Sequence, residues 1–530
     1  MKHVLLFFIL LPLFSPAQTG FQRTYGGPVS DQGFFAAPTN DGGFIVAGHA
    51  GSYGAGAEDA WLLKTAGDGS LQWSQAYGGT AHESVAFVTQ LPDGSYVFCG
   101  ETFSYGAGNG DAFMAKTDQS GALQWFKTYG EVNYDIAYSL QPTPDGGYVL
   151  CGLVESAPLN YDAFLVKTDA NGDTLWTRVY GGPGIDHGVT VINTSDGGFL
   201  FSGKMLSYGA GSCDIYLVKT DANGDTLWTN IVGGPGWDEG MSVREIPGGG
   251  YAVCGGGNSY GSGDYDFYLL KLFNNGAVDW MKTYGGVKVE TSYCLQLTHD
   301  GGFVFNGYTE TFGPGHAQRL AQNEIPEPLG TDSANVFLIR TDANGDTLWC
   351  MTYGGLKKEE SFYVAQLPDR GFAITGYSSS FGDSDNVYLV RTDSMGWSGC
   401  HERRAHPDVS SVTPVQTNAP SAITRGMQTG THQPVATPVS SGTTLNCLTT
   451  SAPEMPGEKT IRIFPNPAED FFQLGGLENG MHEIQLLDLS GRELSRVRQG
   501  GNAPVSLEGI ARGIYFVRVD GKVAGMVVKK

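Results

Sequence analysis

Residues 137–182 read AYSLQPTPDGGYVLCGLVESAPLNYDAFLVKTDANGDTLWTRVYGG, and this stretch decides the fold. It parses into four short strands, Ala137–Pro142, Tyr148–Leu153, Ala163–Thr168 and Thr174–Tyr180. Pro-Asp-Gly-Gly joins the first pair and Asp-Ala-Asn-Gly the last pair. Both sequences supply the positive φ angles that tight hairpins require. Tyr148-Val-Leu-Cys151 and Phe164-Leu-Val166 are apolar on both faces, so the sheet they build is expected to be covered on both sides.

Working outward, the tetrapeptide at Asp145 recurs at Asp41, Asp93, Asp196, Gly248, Asp300 and Asp369, with spacings of 52, 52, 51, 52, 52 and 69 residues. A fixed period holding four strands predicts an all-β repeat in which successive sheets pack face to face, the arrangement of a β-propeller. A second motif, Trp-x-x-x-Tyr-Gly-Gly, marks the fourth strand: Trp73–Tyr77, Trp125–Tyr129, Trp176–Tyr180 and Trp280–Tyr284, with variants at Trp228–Val232 and Trp349–Tyr353. Phe21–Gly27 is a fourth strand with no repeat before it, and the seventh repeat ends after a third strand, Asn386–Thr392. The orphan fits the gap. The expectation is a seven-bladed β-propeller over 18–400, closed by strands from both ends, which removes sheet edges that aggregate.

Composition agrees. The chain has 530 residues with 78 Gly, 28 Phe, 9 Trp and 25 Tyr, too aromatic for disorder and too rich in glycine for helices. Net charge is −22, and the first 400 residues hold 42 acidic against 19 basic side chains. Nucleic acid is therefore not an expected partner, because a polyanion needs a basic surface.

The ends carry addresses. Lys2 and His3 precede an apolar run from Val4 to Phe14, and Ser15-Pro-Ala17 supplies the small residues of a signal-peptidase site, so 1–17 reads as a signal peptide cut after Ala17. The apolar run is too short for a permanent transmembrane anchor, and no other stretch is long enough. Residues 401–456 are rich in Ser, Thr and Pro without periodicity and read as an extended linker. Cys400 and Cys447, at its ends, fit a disulfide in an exported protein. Cys99, Cys151 and Cys254 share one second-strand position filled elsewhere by Ala47, Ser202, Asn306 and Thr375, so they read as buried spacers.

Residues 457–530 form a compact β module: Ile461-Arg-Ile-Phe-Pro-Asn-Pro467, a Leu-Ser-Gly-Arg turn ending at Arg492, Gly513-Ile-Tyr-Phe-Val-Arg-Val519, and a basic terminus at Lys529 and Lys530. These motifs closely resemble the type A C-terminal sorting domain of the type IX secretion system of Bacteroidetes-type bacteria. The resemblance implies a small β-sandwich that engages the type IX machinery and leaves the protein secreted or on the outer cell surface. The segment from Phe164 to Trp176 also resembles the tryptophan-docking repeats of quinoprotein-type propellers. That likeness concerns packing between blades. The vicinal Cys-Cys pair of the quinone-dependent dehydrogenases is missing, and no cofactor is expected.

Enzyme motifs are sparse. Gly257-Asn-Ser-Tyr-Gly261 has the G-x-S-x-G form, yet the same Ser-Tyr-Gly recurs at Ser52, Ser104 and Ser207 and reads as a loop signature. Asp169-Ala-Asn-Gly-Asp173 and its copies at Asp221 and Asp342 begin like a calcium loop, but Tyr180 stands where an EF-hand needs Glu. The Asn-Gly hairpin accounts for them, so no metal is expected. One acidic set stands out: six residues after each motif Tyr, or Val232, lies Asp31, Glu83, Asp135, Asp186, Asp238, Glu290 or Glu359. A second set opens the third strands: Asp59, Asp111, Asp162, Asp214 and Asp266, with Asn335 and Asn386 in the last two repeats. Both sets belong on one propeller face. They either tie down loops by accepting backbone N–H bonds or form a ligand or cation site around the tunnel mouth. Repeat six alone breaks the period, and its insertion brings His316 and Arg319 to that face, beside loops bearing Tyr53, Tyr105, Tyr208 and Tyr260.

The expectation for function is a non-enzymatic secreted or surface propeller whose acidic loop face, with His316 and Arg319, binds an extracellular glycan or protein. Two alternatives stand: a polysaccharide hydrolase or lyase using tunnel-mouth carboxylates, and a structural envelope component. Near-equivalence of seven blades favours binding over catalysis, which needs an acid and a base in unlike environments.

Overall fold

In the computed structural model the repeat motifs are clasps between neighbouring sheets. The described residues are 20–313, 333–382, 384–418, 427–432, 435–438 and 442–448, together with 462–464, 471–475, 481–487, 493–500, 504–507, 510–511, 513–520 and 522–529. The signal-peptide stretch with Ala17, and the insertion with His316 and Arg319, lie outside them.

Each 52-residue unit is an antiparallel four-stranded sheet. The third consists of Asp135–Pro142, Tyr148–Ala157, Asn160–Thr168 and Thr174–Tyr180. Its hairpins turn at Gly146 and Gly172, with φ of +85° and +78°, a conformation open to glycine at little steric cost. Among the described residues seven such sheets precede residue 449, and the seventh is built from Glu359–Gln366, Phe372–Ser378, Asn386–Thr392 and Phe21–Gly26. The N-terminal strand pairs antiparallel with Asn386–Thr392, from Phe21 opposite Arg391 to Tyr25 opposite Val387. Each sheet packs on the next, and Asp31–Pro38 of the first packs on Phe372–Ser378 of the seventh. The architecture is all-β, a propeller-like repeat fold.

Two contacts recur at the junctions. The fourth-strand Trp meets the aromatic residue of the next repeat's Asp-Gly-Gly turn, as in Trp73–Tyr96 (ring centroids 5.7 Å apart), Trp176–Phe199 (6.0 Å) and Trp349–Phe372 (5.5 Å). Phe21 takes the Trp place against Phe44. The motif Tyr donates its hydroxyl to the carbonyl of the next Asn-Gly-type turn, as in Tyr77 to Gly121 (2.6 Å) and Tyr180 to Gly224 (2.7 Å). Where Val232 replaces Tyr, Asn230 Nδ2 donates to Gly276 O instead, at 2.7 Å. Cys99, Cys151 and Cys254 are fully buried between the sheets, as their position suggests.

The stretch expected as a linker is a belt. Glu402–Arg404, Asp408–Val412 and Val415–Thr417 add fifth strands to the sixth, fifth and fourth sheets. Gln428–His432, Val435–Pro438 and Gly442–Leu448 do so on the second, first and seventh. Every pairing is antiparallel, and the belt visits the sheets in reverse order. Asp408–Val412 is almost wholly exposed, so its strand is held by backbone ladder bonds and shows no apolar alternation for a sequence reading to detect. It covers edges that would otherwise be open to pairing.

The chain divides into two units, Met1–Ser451 and Ala452–Lys530. The second contains a sheet of Arg462–Phe464, Phe471–Gly475 and Val505–Ser506, and another of Met481–Leu487, Glu493–Gly500, Gly513–Val519 and Lys522–Lys529. Ile484, Leu486, Leu507 and Val517 are among the residues of its core. No helix among the described residues is long and apolar enough to cross a membrane.

Candidate functional site

The acidic set singled out by the sequence is structural. Asp31, Glu83, Asp135, Asp186, Asp238, Glu290 and Glu359 are all fully buried. Each accepts a backbone N–H four residues upstream, from Gly27, Gly79, Glu131, Gly182, Gly234, Gly286 and Gly355, at 2.7–2.9 Å. Most also reach the next loop of their own sheet: Ser52 and Ser104 donate backbone N–H to Asp31 and Glu83 at 3.0 Å, and Thr309 Oγ1 donates to Glu290 at 2.8 Å. A ligand at the surface therefore meets none of these carboxylates. Three of the four loop tyrosines are likewise occupied, with Tyr53, Tyr105 and Tyr260 donating to the carbonyls of Gly26, Gly78 and Gly233, while Tyr208 is exposed.

Both acidic sets meet at the junctions, where the first Gly of Tyr-Gly-Gly makes room for them. A Cβ on Gly285 would fall 1.7 Å from Asp266 Oδ1 and 2.9 Å from Glu290 Oε2. Burial, opposed by the Gly263 N–H and reinforced by Glu290, raises the Asp266 carboxyl to about 6. Burial, opposed by the Glu131 N–H and reinforced by Asp111, raises Asp135 to about 7.

What the sequence did not disclose is a bulge repeated in all seven first strands. The ladder register slips around Phe34, Ala86, Tyr138, Val189, Met241, Tyr293 and Phe362. A bulge re-aims the extra residue, and these seven side chains line one cavity of about 430 Å³ walled by all seven sheets. Aromatic contacts run round its mouth as an arc: Tyr293–Phe362 (centroids 4.9 Å), Phe362–Phe34 (5.4 Å), Phe34–His49 (5.3 Å), His49–His82 (6.1 Å), His82–Phe103 (5.7 Å) and Phe103–Tyr134 (5.9 Å).

The ionisable groups of the rim differ from sheet to sheet. His82 Nδ1 lies 2.7 Å from Glu58 Oε2 and its Nε2 lies 3.4 Å from Glu101 Oε1. Its pKa is raised chiefly by the Glu101 hydrogen bond, against burial, while burial lowers that of His49. Glu101 also accepts from the Tyr134 hydroxyl. Lys204 pairs with Glu239 at 2.7 Å, and beside them burial, then Lys204, lowers His187 to about 4. Lys358 pairs with Glu360 at 2.7 Å. The signal that finds most of these residues is variation: His82, His187, Glu239, Lys358 and Glu360 flank the repeated carboxylates at positions where the seven repeats disagree. No group of three or more metal-ligating side chains occurs among the described residues.

Residues 462–530 match the family model described as a secretion system C-terminal sorting domain. No curated protein matches the chain. Similar solved structures include an endo-1,5-alpha-L-arabinanase from Thermotoga petrophila RKU-1, at 10% identity and TM-score 0.26, covering 69% of this chain and 100% of that one. A puromycin hydrolase mutant complexed with PGG is similar at 14% identity and TM-score 0.29, covering 68% of this chain and 59% of that one. The tail is thus a type IX sorting domain, and it marks the protein for release or display at the outer surface.

Proposed function

We infer that the mature protein is a seven-bladed propeller, exported by the type IX system, that binds an extracellular glycan or protein without turning it over. The reading takes 1–17 as a removed signal peptide, 18–400 as the propeller with 401–448 as its belt, and 457–530 as the sorting domain. A Cys400–Cys447 bridge fastens the belt. In its support, Cys447 pairs across the ladder from Gln22, and the Gln22 amide donates to the Cys400 carbonyl, so one side chain of the N-terminal strand lies beside both ends of the belt.

The observation that carries the binding role is the mouth cavity. Half-buried rings and variable polar groups converge on about 430 Å³, a size that suits a sugar or a side chain. Stacking surfaces beside ionic pairs favour polar ligands with a flat face. The test is to screen the purified full-length protein against polysaccharide and protein panels for retention and for turnover. Retention that is lost in Phe362→Ala supports the reading; retention untouched by that change overturns it.

The hydrolase reading has one observation in its favour, the placing of His82 between Glu58 and Glu101 at the rim. Turnover of any panel member, abolished in Glu101→Gln, would make it the better account.

A further inference from the structure

We propose that Arg244 is the ligand's anchor inside the channel and that it receives a carboxylate, so that the bound molecule is an acidic glycan presenting a uronate. The proposal rests on the mouth as the binding site and adds the chemistry of what enters it. Arg244, with Phe35, Phe87, Gln141 and Tyr363, lines both the mouth cavity and a second cavity of about 420 Å³. Arg244 therefore borders both.

Its bonding is incomplete. Nε donates to Gln296 Oε1 at 3.2 Å and Nη1 donates to the Val243 carbonyl at 2.7 Å. The neighbouring Glu245 is turned to Ser195, accepting from its N–H and hydroxyl at 2.8 and 2.6 Å. Several buried or half-buried cations of this acidic domain have carboxylate partners: Lys64 with Asp41, Lys204 with Glu239, Lys219 with Asp196 and Lys358 with Glu360. Arg244 has none among the described residues. A half-buried cation without a counter-charge is costly unless something supplies one, and a guanidinium fork fits a carboxylate with two parallel bonds. The arc of rings from Tyr293 to Tyr134 gives successive sugar rings a surface on which to stack, which is why a glycan is favoured over an isolated anion.

The experiment uses the full-length protein, with trigalacturonate and its methyl ester as probes, in calorimetric titrations. Wild type is expected to bind the acid about 10- to 100-fold more tightly than the ester, the range for one charge-assisted pair. Arg244→Gln should reduce the acid to the level of the ester, and Arg244→Lys, which keeps the charge without the fork, should fall between. Equal binding of acid and ester by wild type overturns the proposal, as does a preference that survives in Arg244→Gln. Failure of wild type to bind either form also overturns it, and is distinguishable from failure of the mouth site, which the panel screen tests separately through Phe362→Ala. A single cooperative urea transition of unchanged slope in wild type and both variants establishes that they are folded.

Discussion

Replacing Asp266 by Asn should stabilise the protein at alkaline pH and leave it unchanged in acid. Asp266 is buried beside Glu290 at the junction of the fifth and sixth sheets, and its Oδ1 has no hydrogen-bond partner. Burial first, then Glu290, raises its carboxyl to about 6, while the Gly263 N–H on Oδ2 pulls the other way. The sign follows from proton binding. The folded protein holds a proton that the unfolded chain releases near pH 4, so this contribution is complete below about pH 4 and is lost as pH rises through about 6. A two-unit difference corresponds to roughly 3 kcal/mol, and to roughly half that once screening by water at the junction is allowed for. Asn cannot ionise and can still accept from Gly263. The sequence makes the same exchange elsewhere, with Asn335 and Asn386 at this position of the last two repeats. Urea midpoints of wild type and Asp266→Asn at about pH 4 and about pH 8 measure the effect, since midpoint shifts at constant slope report stability. A variant equally or less stable at the higher pH would refute the argument, as would a gain of the same size at both.

Arg370 occupies the left-handed turn position that glycine holds in the other repeats, at φ +69°, so Arg370→Gly should stabilise by about 1 kcal/mol in urea titration. Tyr180→Phe leaves the buried Gly224 carbonyl without its donor and should cost about 1–3 kcal/mol by the same measurement. The proposed Cys400–Cys447 bridge would close a loop of roughly 47 residues, which the chain-entropy estimate values at about 4 kcal/mol; in Cys447→Ser limited proteolysis should then cut first within 401–448, and an unaltered digestion pattern would count against the bridge. Residues 452–530 fused to a periplasmic reporter should carry it to the surface in a type IX-competent host, with cell fractionation as the readout.

The fold was legible because its determinants recur. Asp-Gly-Gly turns, the Trp and Tyr of the fourth strand and the orphan Phe21–Gly27 each answer to a specific contact, so seven copies of one message could be read together. The belt was not legible. Glu402–Arg404 and Asp408–Val412 pair through the backbone while most of their side chains face solvent, and a strand without a buried face has no period to detect. The cavity was not legible for the opposite reason. Asp31, Glu83 and their five equivalents were conspicuous through repetition, and repetition is what a clasp built once per sheet produces. The bulges at Phe34, Tyr138 and Phe362 add one residue to every first strand alike, which leaves the 52-residue spacing undisturbed and so invisible.

Strand geometry links the buried carboxylates to the cavity. Successive residues of a strand point to opposite faces. Glu83 points into the junction and accepts from the loop, so His82 and Ser84 on either side must face the cavity, and both line it. The same alternation sets Trp237 and Glu239 about Asp238, and Lys358 and Glu360 about Glu359, with Glu239 bonded by Lys204 and Glu360 by Lys358. The buried carboxylate thereby fixes the orientation of its neighbours, and because its own side chain is committed to the scaffold, those neighbours are free to differ. A ligand lacking sevenfold symmetry gains nothing from seven equal groups; it can be recognised only where the repeats diverge. Scaffold and the proposed reading surface are therefore consecutive residues of one strand, the first kept constant by the packing between sheets and the second varied around the channel.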